Sequence, residues 1–349
     1  MYFIVSRYLS EKREILTIRE PLPGQIICNE NKPIVVLIIG ESLRPDHLGL
    51  NGYERNTTPQ LSKEDVISFP NIYSSATYTN ASLPQILTRA DSVYPGRAES
   101  ERSFIDIFKR CGYYTIWLAN QEPAKSYVYF MNECDTLVYG NITKSSYIMD
   151  RWTDELLLPA FDHFSRNIDG NRLFVLHTIG SHWYYNAHYT GHFRQFTPVV
   201  KSRIVSSNTP EEMINSYDNT VLYTDYFIST IINRLRDKNA VLAFLSDHGE
   251  ALGENGAWLH ATDVPQVHNT ACLLWLSPEF KANNPQKDEI LLANRNRPYN
   301  TGFLFHTILQ LAGIESDIIE KEKSLLYNFL PLPTENPELP VLTIQRPIH

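Results

Sequence analysis

An α/β fold, with a mainly parallel central sheet and helices on both of its faces, is what this sequence predicts. Short leucine-, aromatic- or β-branched-rich runs recur at 34–39 (IVVLII), 114–118 (YTIWL), 173–177 (LFVLH), 240–245 (AVLAFL) and 272–276 (CLLWL). Runs of this kind mark strands buried on both faces. Helical patterns lie between them, and strand–helix alternation builds a mainly parallel sheet. The 349 residues, 43% of them hydrophobic, suffice for a substantial core. No repeat of roughly 20 to 50 residues breaks the chain into a solenoid or propeller.

From the N-terminus, residues 1–30 read as a linker or amphipathic segment ahead of a single domain over 31–349. Met1–Leu9 (MYFIVSRYL) is apolar but carries Arg7 and offers no small-residue cleavage site, so it does not read as a signal peptide. The longest apolar run, Ile34–Ile39, falls far short of the roughly 20 residues a membrane helix needs, so no bilayer span is expected. In the segment 74–90 (SSATYTNASLPQILTRA) a helix is expected to begin near Thr79. The pattern at 103–111 is helical and closes at Gly112, where a left-handed cap belongs. The clearest start is at Pro210, with Thr209 as N-cap and Glu212 completing a capping box. The apolar face of that helix, running to 236, follows as Ile214, Tyr217, Val221, Phe227 or Ile228, Ile231 and Leu235.

Net charge and cysteine usage exclude some functions. At −8 and pI near 5.8, the chain lacks the clustered Lys and Arg of a phosphate-tracking surface, so no nucleic-acid partner is expected. Cysteines 28, 111, 134 and 272 form no CxxC pair, which indicates neither a cysteine zinc site nor a dense disulfide framework.

In a parallel α/β sheet the ligand site lies outside the carboxyl ends of the strands. Here strand 34–39 runs into Gly40-Glu41, strand 173–177 into Ser181-His182, and strand 240–245 into Ser246-Asp247-His248-Gly249-Glu250. Carboxylate and imidazole donors suit Zn²⁺, and Glu41, Asp247 and His248 would supply the three ligands of a catalytic site with an exchangeable position. A hydroxyl at a helix N-terminus, Thr79, would stand where a phosphate binds, and coordination to zinc would activate it. His260 lies thirteen residues beyond Asp247 across three glycines, so the chain can fold back and join it to His182 as a second cationic or metal-binding spot. Taken singly, each residue has a plainer reading: a polar turn at Asp247-His248-Gly249, caps at Glu41 and Thr79, and structural roles for His177, His188, His268 and His306.

Several stretches resemble the bacterial lipid A and lipopolysaccharide-core phosphoethanolamine transferases, a family that includes the mobile colistin-resistance enzymes. They are 35–53 (VVLIIGESLRPDHLGLNGY), 77–84 (TYTNASLP), 176–182 (LHTIGSH), 217–225 (YDNTVLYTD) and 246–260 (SDHGEALGENGAWLH), within a resemblance over about 34–312. It implies an alkaline phosphatase/sulfatase-like catalytic domain over 31–349, with Glu41, Thr79, Asp247 and His248 as zinc ligands and Thr79 as the nucleophile. It further implies that His182 and His260 meet the phosphoryl group or an additional zinc, and that Asn120, Gln121 and Lys125 help to hold substrate. Phosphatidylethanolamine would be the donor and a hydroxyl of lipid A, lipopolysaccharide core or another glycan the acceptor, at the periplasmic face of the inner membrane. Residues 1–30 would lead from a membrane portion, with Cys28 in a loop just before the first strand.

Some positions depart from the family pattern. The cysteines that flank the nucleophile segment in colistin-resistance enzymes are Ser75 and Gln85 here, so packing would have to brace that loop. Trp183 replaces a frequent glycine and could narrow the acceptor side of the cleft. Two other functions remain open at this point. One is a sulfatase- or phosphatase-type hydrolase, although Ile86 stands where a sulfatase signature beginning at Ser82-Leu83-Pro84 needs Arg. The other is a non-catalytic relative that binds headgroups.

Overall fold

The computed structural model describes residues 19–140, 152–167 and 170–329; the expectation for Met1–Leu9 lies outside them. The main strands are β1 (Ile26–Cys28), β2 (Ile34–Gly40), β3 (Val66–Ser68), β4 (Tyr114–Ala119), β5 (Thr136–Tyr139), β6 (Arg172–His177), β7 (Ala240–Ser246), β8 (Cys272–Leu276) and β9 (Ile314–Ser316). The main helices are α1 (Thr79–Leu87), α2 (Phe104–Arg110), α3 (Leu158–Asn167), α4 (Pro210–Leu235) and α5 (Phe303–Leu311).

Seven strands form the central sheet in the order β3-β8-β7-β2-β6-β4-β5. Strands β7, β2, β6, β4 and β5 are mutually parallel. The run at 272–276 is a strand as expected, but it lies antiparallel to β7 and β3, so the sheet is mixed at that edge. A continuous apolar run records burial on both faces and carries no information about strand direction. The edge strands β3 and β5 went unrecognised because each has only three or four residues and they are in part half-buried.

Alternation along β2 divides the core in two. Val35, Leu37 and Ile39 pack with Leu83 and Ile86 of α1, Phe104 and Phe108 of α2, and Phe305 and Leu309 of α5. Val36 and Ile38 pack on the opposite face with Phe161 of α3 and Tyr217, Val221 and Ile231 of α4. Helices therefore cover both faces. Two expected local signals hold: Gly112 takes φ +75°, and the Thr209–Glu212 capping box forms at the start of α4; Ser103, read as part of the helix, instead caps α2 by accepting from Ile105 N.

Cys28 is not in a loop. It ends β1, which pairs antiparallel with β9, and it is disulfide-bonded to Cys111 just past α2. A three-residue strand leaves no periodicity to read, and the pairing depends on a tertiary contact across 83 residues of sequence. Among the described residues, no helix is long and apolar enough to cross a membrane.

Candidate active site

The register of the sheet assembles the site. Gly40 lies opposite Ser246 and Ile39 opposite His177, so the chain leaves β2, β7 and β6 side by side at their carboxyl ends. Ser42 turns the chain after Glu41 in a left-handed conformation, φ +58°. Tyr217 of α4 clamps that turn: its hydroxyl donates to Ser42 O at 2.7 Å and accepts from Arg44 N at 2.9 Å. Gly249 is required after Asp247-His248, because a Cβ there would fall 2.1 Å from Gln266 O.

Glu41 is buried at the centre of the cluster. Its Oε2 accepts from the Thr79 hydroxyl at 2.9 Å and from Gln121 Nε2 at 2.8 Å. Its Oε1 accepts from Ser42 Oγ at 2.7 Å and stands 3.3 Å from His248 Nε2. His248 Nε2 also lies 3.5 Å from Asp247 Oδ2. Tyr78 is the N-cap of α1, which makes Thr79 the first helical residue and leaves its hydroxyl for Glu41.

These groups perturb one another strongly. Burial works to raise the Glu41 carboxyl, but His248 beside it, then His182 and His260, hold it well below the usual carboxylate range. Burial and the Glu41 charge push Asp247 up to about 6. Burial opposes protonation of His248, yet Asp247 and Glu41 raise it to about 10. Two buried carboxylates thus compete for one positive partner, an arrangement that favours a cation between them.

The donor set fits zinc on two structural grounds. His248 Nδ1 lies 2.7 Å from Gly249 O, a partner that would keep the proton on Nδ1 and free the Nε2 lone pair once an ion replaced the second proton, the usual arrangement of a ligating histidine. Asp247 Oδ2 and His248 Nε2 are also buried without a hydrogen-bond partner among the described residues. One ligand atom each from Glu41, His248 and His260 lie within 4.8 Å of one another. His260, expected to meet the phosphoryl group or an additional zinc, stands with Glu41 and His248 where an ion could be shared.

His182 belongs to the same row of imidazoles, with ring centroids 5.7 Å from His260, which is itself 4.8 Å from His248. Its loop is held by Asp154, whose carboxylate accepts from Ile179 N at 2.8 Å and Gly180 N at 3.1 Å. Gly180 adopts φ +45° against the Glu41 backbone.

The three residues expected to hold substrate separate. Gln121 reaches Glu41 and Thr178 O. Lys125 lines a cavity of about 750 Å³ beside α1. Asn120 does not face the cleft. It is fully buried, donating to Asp154 Oδ1 at 2.8 Å and accepting from Trp152 Nε1 at 2.9 Å, because the loop behind β4 needs its amide to fix Asp154.

Ser75 and Gln85 are joined by a side-chain hydrogen bond, so a polar link and not packing alone braces the nucleophile segment. Trp183 packs against Tyr184 and Tyr185. Sequence reasoning missed two contributors. Glu250, fully buried, faces His260 Nδ1 at 3.5 Å; its place two residues past His248 was the available signal. Asp154 had no sequence signal, because its role is set by backbone amides 25 and 26 residues away.

The sulfatase family model matches residues 33–314. The chain belongs to that family. Phosphoethanolamine transferase EptA of Escherichia coli K-12 is 33% identical over 315 residues, 85% of this chain and 56% of that protein. The soluble domain of lipooligosaccharide phosphoethanolamine transferase A from Neisseria meningitidis matches with a TM-score of 0.80 at 30% identity, covering 88% of this chain and 97% of that one. The C-terminal periplasmic domain of EcEptC from Escherichia coli, in complex with Zn, matches with a TM-score of 0.78 at 27% identity, over 88% and 90%. Within the sulfatase family, then, the chain is a homologue of the bacterial phosphoethanolamine transferases. It spans about half the length of the curated relatives it matches.

Proposed function

We propose that this chain is the catalytic part of a zinc-dependent enzyme that moves phosphoethanolamine from phosphatidylethanolamine, through a covalent intermediate on Thr79, to a hydroxyl of a lipopolysaccharide or other glycan. The observation that carries the reading is the Thr79 hydroxyl, at the first residue of a helix, hydrogen-bonded at 2.9 Å to buried Glu41 within the Asp247–His248 cluster. The zinc-bound relative and the homology to phosphoethanolamine transferases support it.

Glu41, Thr79, Asp247 and His248 would hold the ion, with His260 as a further ligand. Zinc bound there supplies Lewis acidity that lowers the pKa of a hydroxyl and neutralises phosphoryl charge. Glu41 Oε2 orients Thr79 Oγ1 and takes up its proton through the existing hydrogen bond. The bond from Thr79 Oγ1 to phosphorus forms as the bond from phosphorus to the glycerol oxygen breaks, and diacylglycerol leaves with a proton. His182 or His260 delivers that proton and takes one from the acceptor hydroxyl in the second half-reaction. The N-terminus of α1 directs its positive end at the phosphoryl oxygens. Gln121, with Asn120 and Asp154 behind the neighbouring loop, holds the carboxylate and His182 in place.

We place residues 31–349 as the catalytic domain and 1–30 as the segment leading to it from a membrane portion, the end of that segment being fastened to the domain through β1 and Cys28, at the periplasmic face of the inner membrane. The Cys28–Cys111 disulfide suits an oxidising compartment. Release of diacylglycerol from phosphatidylethanolamine micelles tests the chemistry. Thr79→Ala should lose it and Thr79→Ser should retain a measurable part; release by Thr79→Ala at the wild-type rate would remove Thr79 from the mechanism.

A further inference from the structure

The loop that carries His182 is gripped at both ends by one short segment, Trp152-Thr153-Asp154. At the start of the loop, Asp154 accepts from Ile179 N at 2.8 Å and from Gly180 N at 3.1 Å. At its far end, Trp152 N donates to Ala187 O at 2.8 Å, and His188 Nδ1 donates to Trp152 O at 2.9 Å. Trp152 is pinned in turn, its Nε1 donating to Asn120 O at 2.8 Å. Trp152, Asp154 and His188 are all buried, so the grip lies inside the fold.

The His188 ring stands 6.2 Å from the His182 ring, centroid to centroid, with the two planes nearly perpendicular at 86°. Burial, and then His182 beside it, lower His188 to about 3, so the ring is neutral in the range where the protein works. Its Nε2 is buried with no hydrogen-bond partner among the described residues. His188 thus makes one hydrogen bond, to the gripping segment, and presents its ring to Trp152 and His182. His182 Nδ1 is itself hydrogen-bonded to Trp183 O, which leaves Nε2 for proton exchange. His260 stands in the group with Glu41 and His248, and His182 falls outside it, so His182 is the imidazole left for acid–base work.

We infer that His188 is a positioning residue for His182, its ring and its bond to Trp152 fixing the His182 imidazole where Nε2 meets the oxygen of the departing glycerol. The inference rests on the transfer reading above. In the first half-reaction the Thr79 oxygen bonds phosphorus and the bond from phosphorus to the glycerol oxygen breaks; protonated His182 passes its Nε2 proton to that oxygen and keeps the electron pair. In the second, the same nitrogen takes the proton of the acceptor hydroxyl, which restores it. His188 gains and loses nothing in either step. Its effect is geometric, and a displacement of about 1 Å at a reacting group can cost about a hundredfold in rate.

The test compares two donors that differ in leaving group. Dioleoyl phosphatidylethanolamine, in neutral detergent micelles, releases a diacylglycerol that must be protonated as it leaves; p-nitrophenyl phosphoethanolamine releases p-nitrophenolate, which needs no proton. The readout is the rate at which Thr79 of the zinc-loaded full chain gains phosphoethanolamine, measured by peptide mass spectrometry. His188→Asn can still donate to Trp152 O but lacks the ring. It should label at least tenfold more slowly with the phospholipid and within twofold of wild type with the nitrophenyl donor. His188→Phe keeps a ring against His182 and should label faster than His188→Asn with the phospholipid. In a His182→Ala background, His188→Asn should make no further difference. Unchanged phospholipid labelling in His188→Asn, equal slowing with both donors, no recovery in His188→Phe, or a further loss in the His182→Ala background would each overturn the inference. If neither donor labels wild-type Thr79, the transfer reading itself fails. Carbethoxylation by diethyl pyrocarbonate, followed on the peptide containing His182, then decides the positioning separately: faster modification in His188→Asn than in wild type upholds it, and equal rates reject it.

Discussion

Glu41 accepts hydrogen bonds from Thr79, Gln121 and Ser42 while facing His248, so its carboxylate is fixed in one orientation from several directions. The Gln121 bond to a charged oxygen is of the stronger kind, worth about 1.5–3 kcal/mol. Gln121→Ala should therefore lower kcat about tenfold with little change in KM; a change confined to KM would assign Gln121 to substrate and not to Glu41. A second residue-scale prediction concerns His306, which burial lowers to about 4 and whose Nδ1 accepts from Glu320 N. Between pH 6.5 and 4 the unfolded chain binds a proton there that the folded chain refuses, so this contribution to stability is present above pH 6.5 and is lost as pH falls. By pH 5.5 the loss is about 1 kcal/mol. Melting temperature should fall from pH 7.5 to 5.5, and less steeply in His306→Gln; identical slopes would contradict the assignment. That Glu41, Thr79, Asp247 and His248 would lie together was legible in the sequence, because each sits at a strand or helix end marked by its own neighbours. Asn120 was misplaced because its partners, Trp152 and Asp154, are supplied by a segment more than thirty residues on.

Element by element, what local chemistry dictates was readable. The Thr209 capping box appears in four consecutive residues, and the helix it starts runs 26 residues through the core. Thr209→Ala should cost about 1 kcal/mol in chemical denaturation, since it strips a partner from the Glu212 amide and breaks the reciprocal pair. No change in the denaturation midpoint would show that tertiary packing alone holds the end of α4. The strand β8 reads equally well as a strand, but its antiparallel course depends on how the loop after β7 returns past the cleft, and no residue within 272–276 encodes that. The short strands β1 and β3 are fixed by partners far along the chain, Ile314–Ser316 and Leu273–Trp275, which is why neither was recognised.

At the scale of the whole molecule, the Cys28–Cys111 disulfide ties β1, and with it the β1–β9 edge, to the end of α2 across 83 residues. Closing a loop of that length constrains the unfolded chain by roughly 4–5 kcal/mol in the chain-entropy account. Reductant, or Cys28→Ser, should lower the melting temperature by several degrees while leaving Thr79 chemistry intact; an unchanged melt would mean that the edge is held without the bond. The catalytic claim also belongs to this scale, because Glu41, Asp247 with His248, and His182 reach one cleft only through the register of three parallel strands. Its most direct test is peptide mass spectrometry of the zinc-loaded protein after incubation with phosphatidylethanolamine and no acceptor. A phosphoethanolamine adduct on the peptide containing Thr79, absent from Thr79→Ala, is the predicted result; diacylglycerol release with Thr79 unmodified throughout the time course would contradict the covalent mechanism.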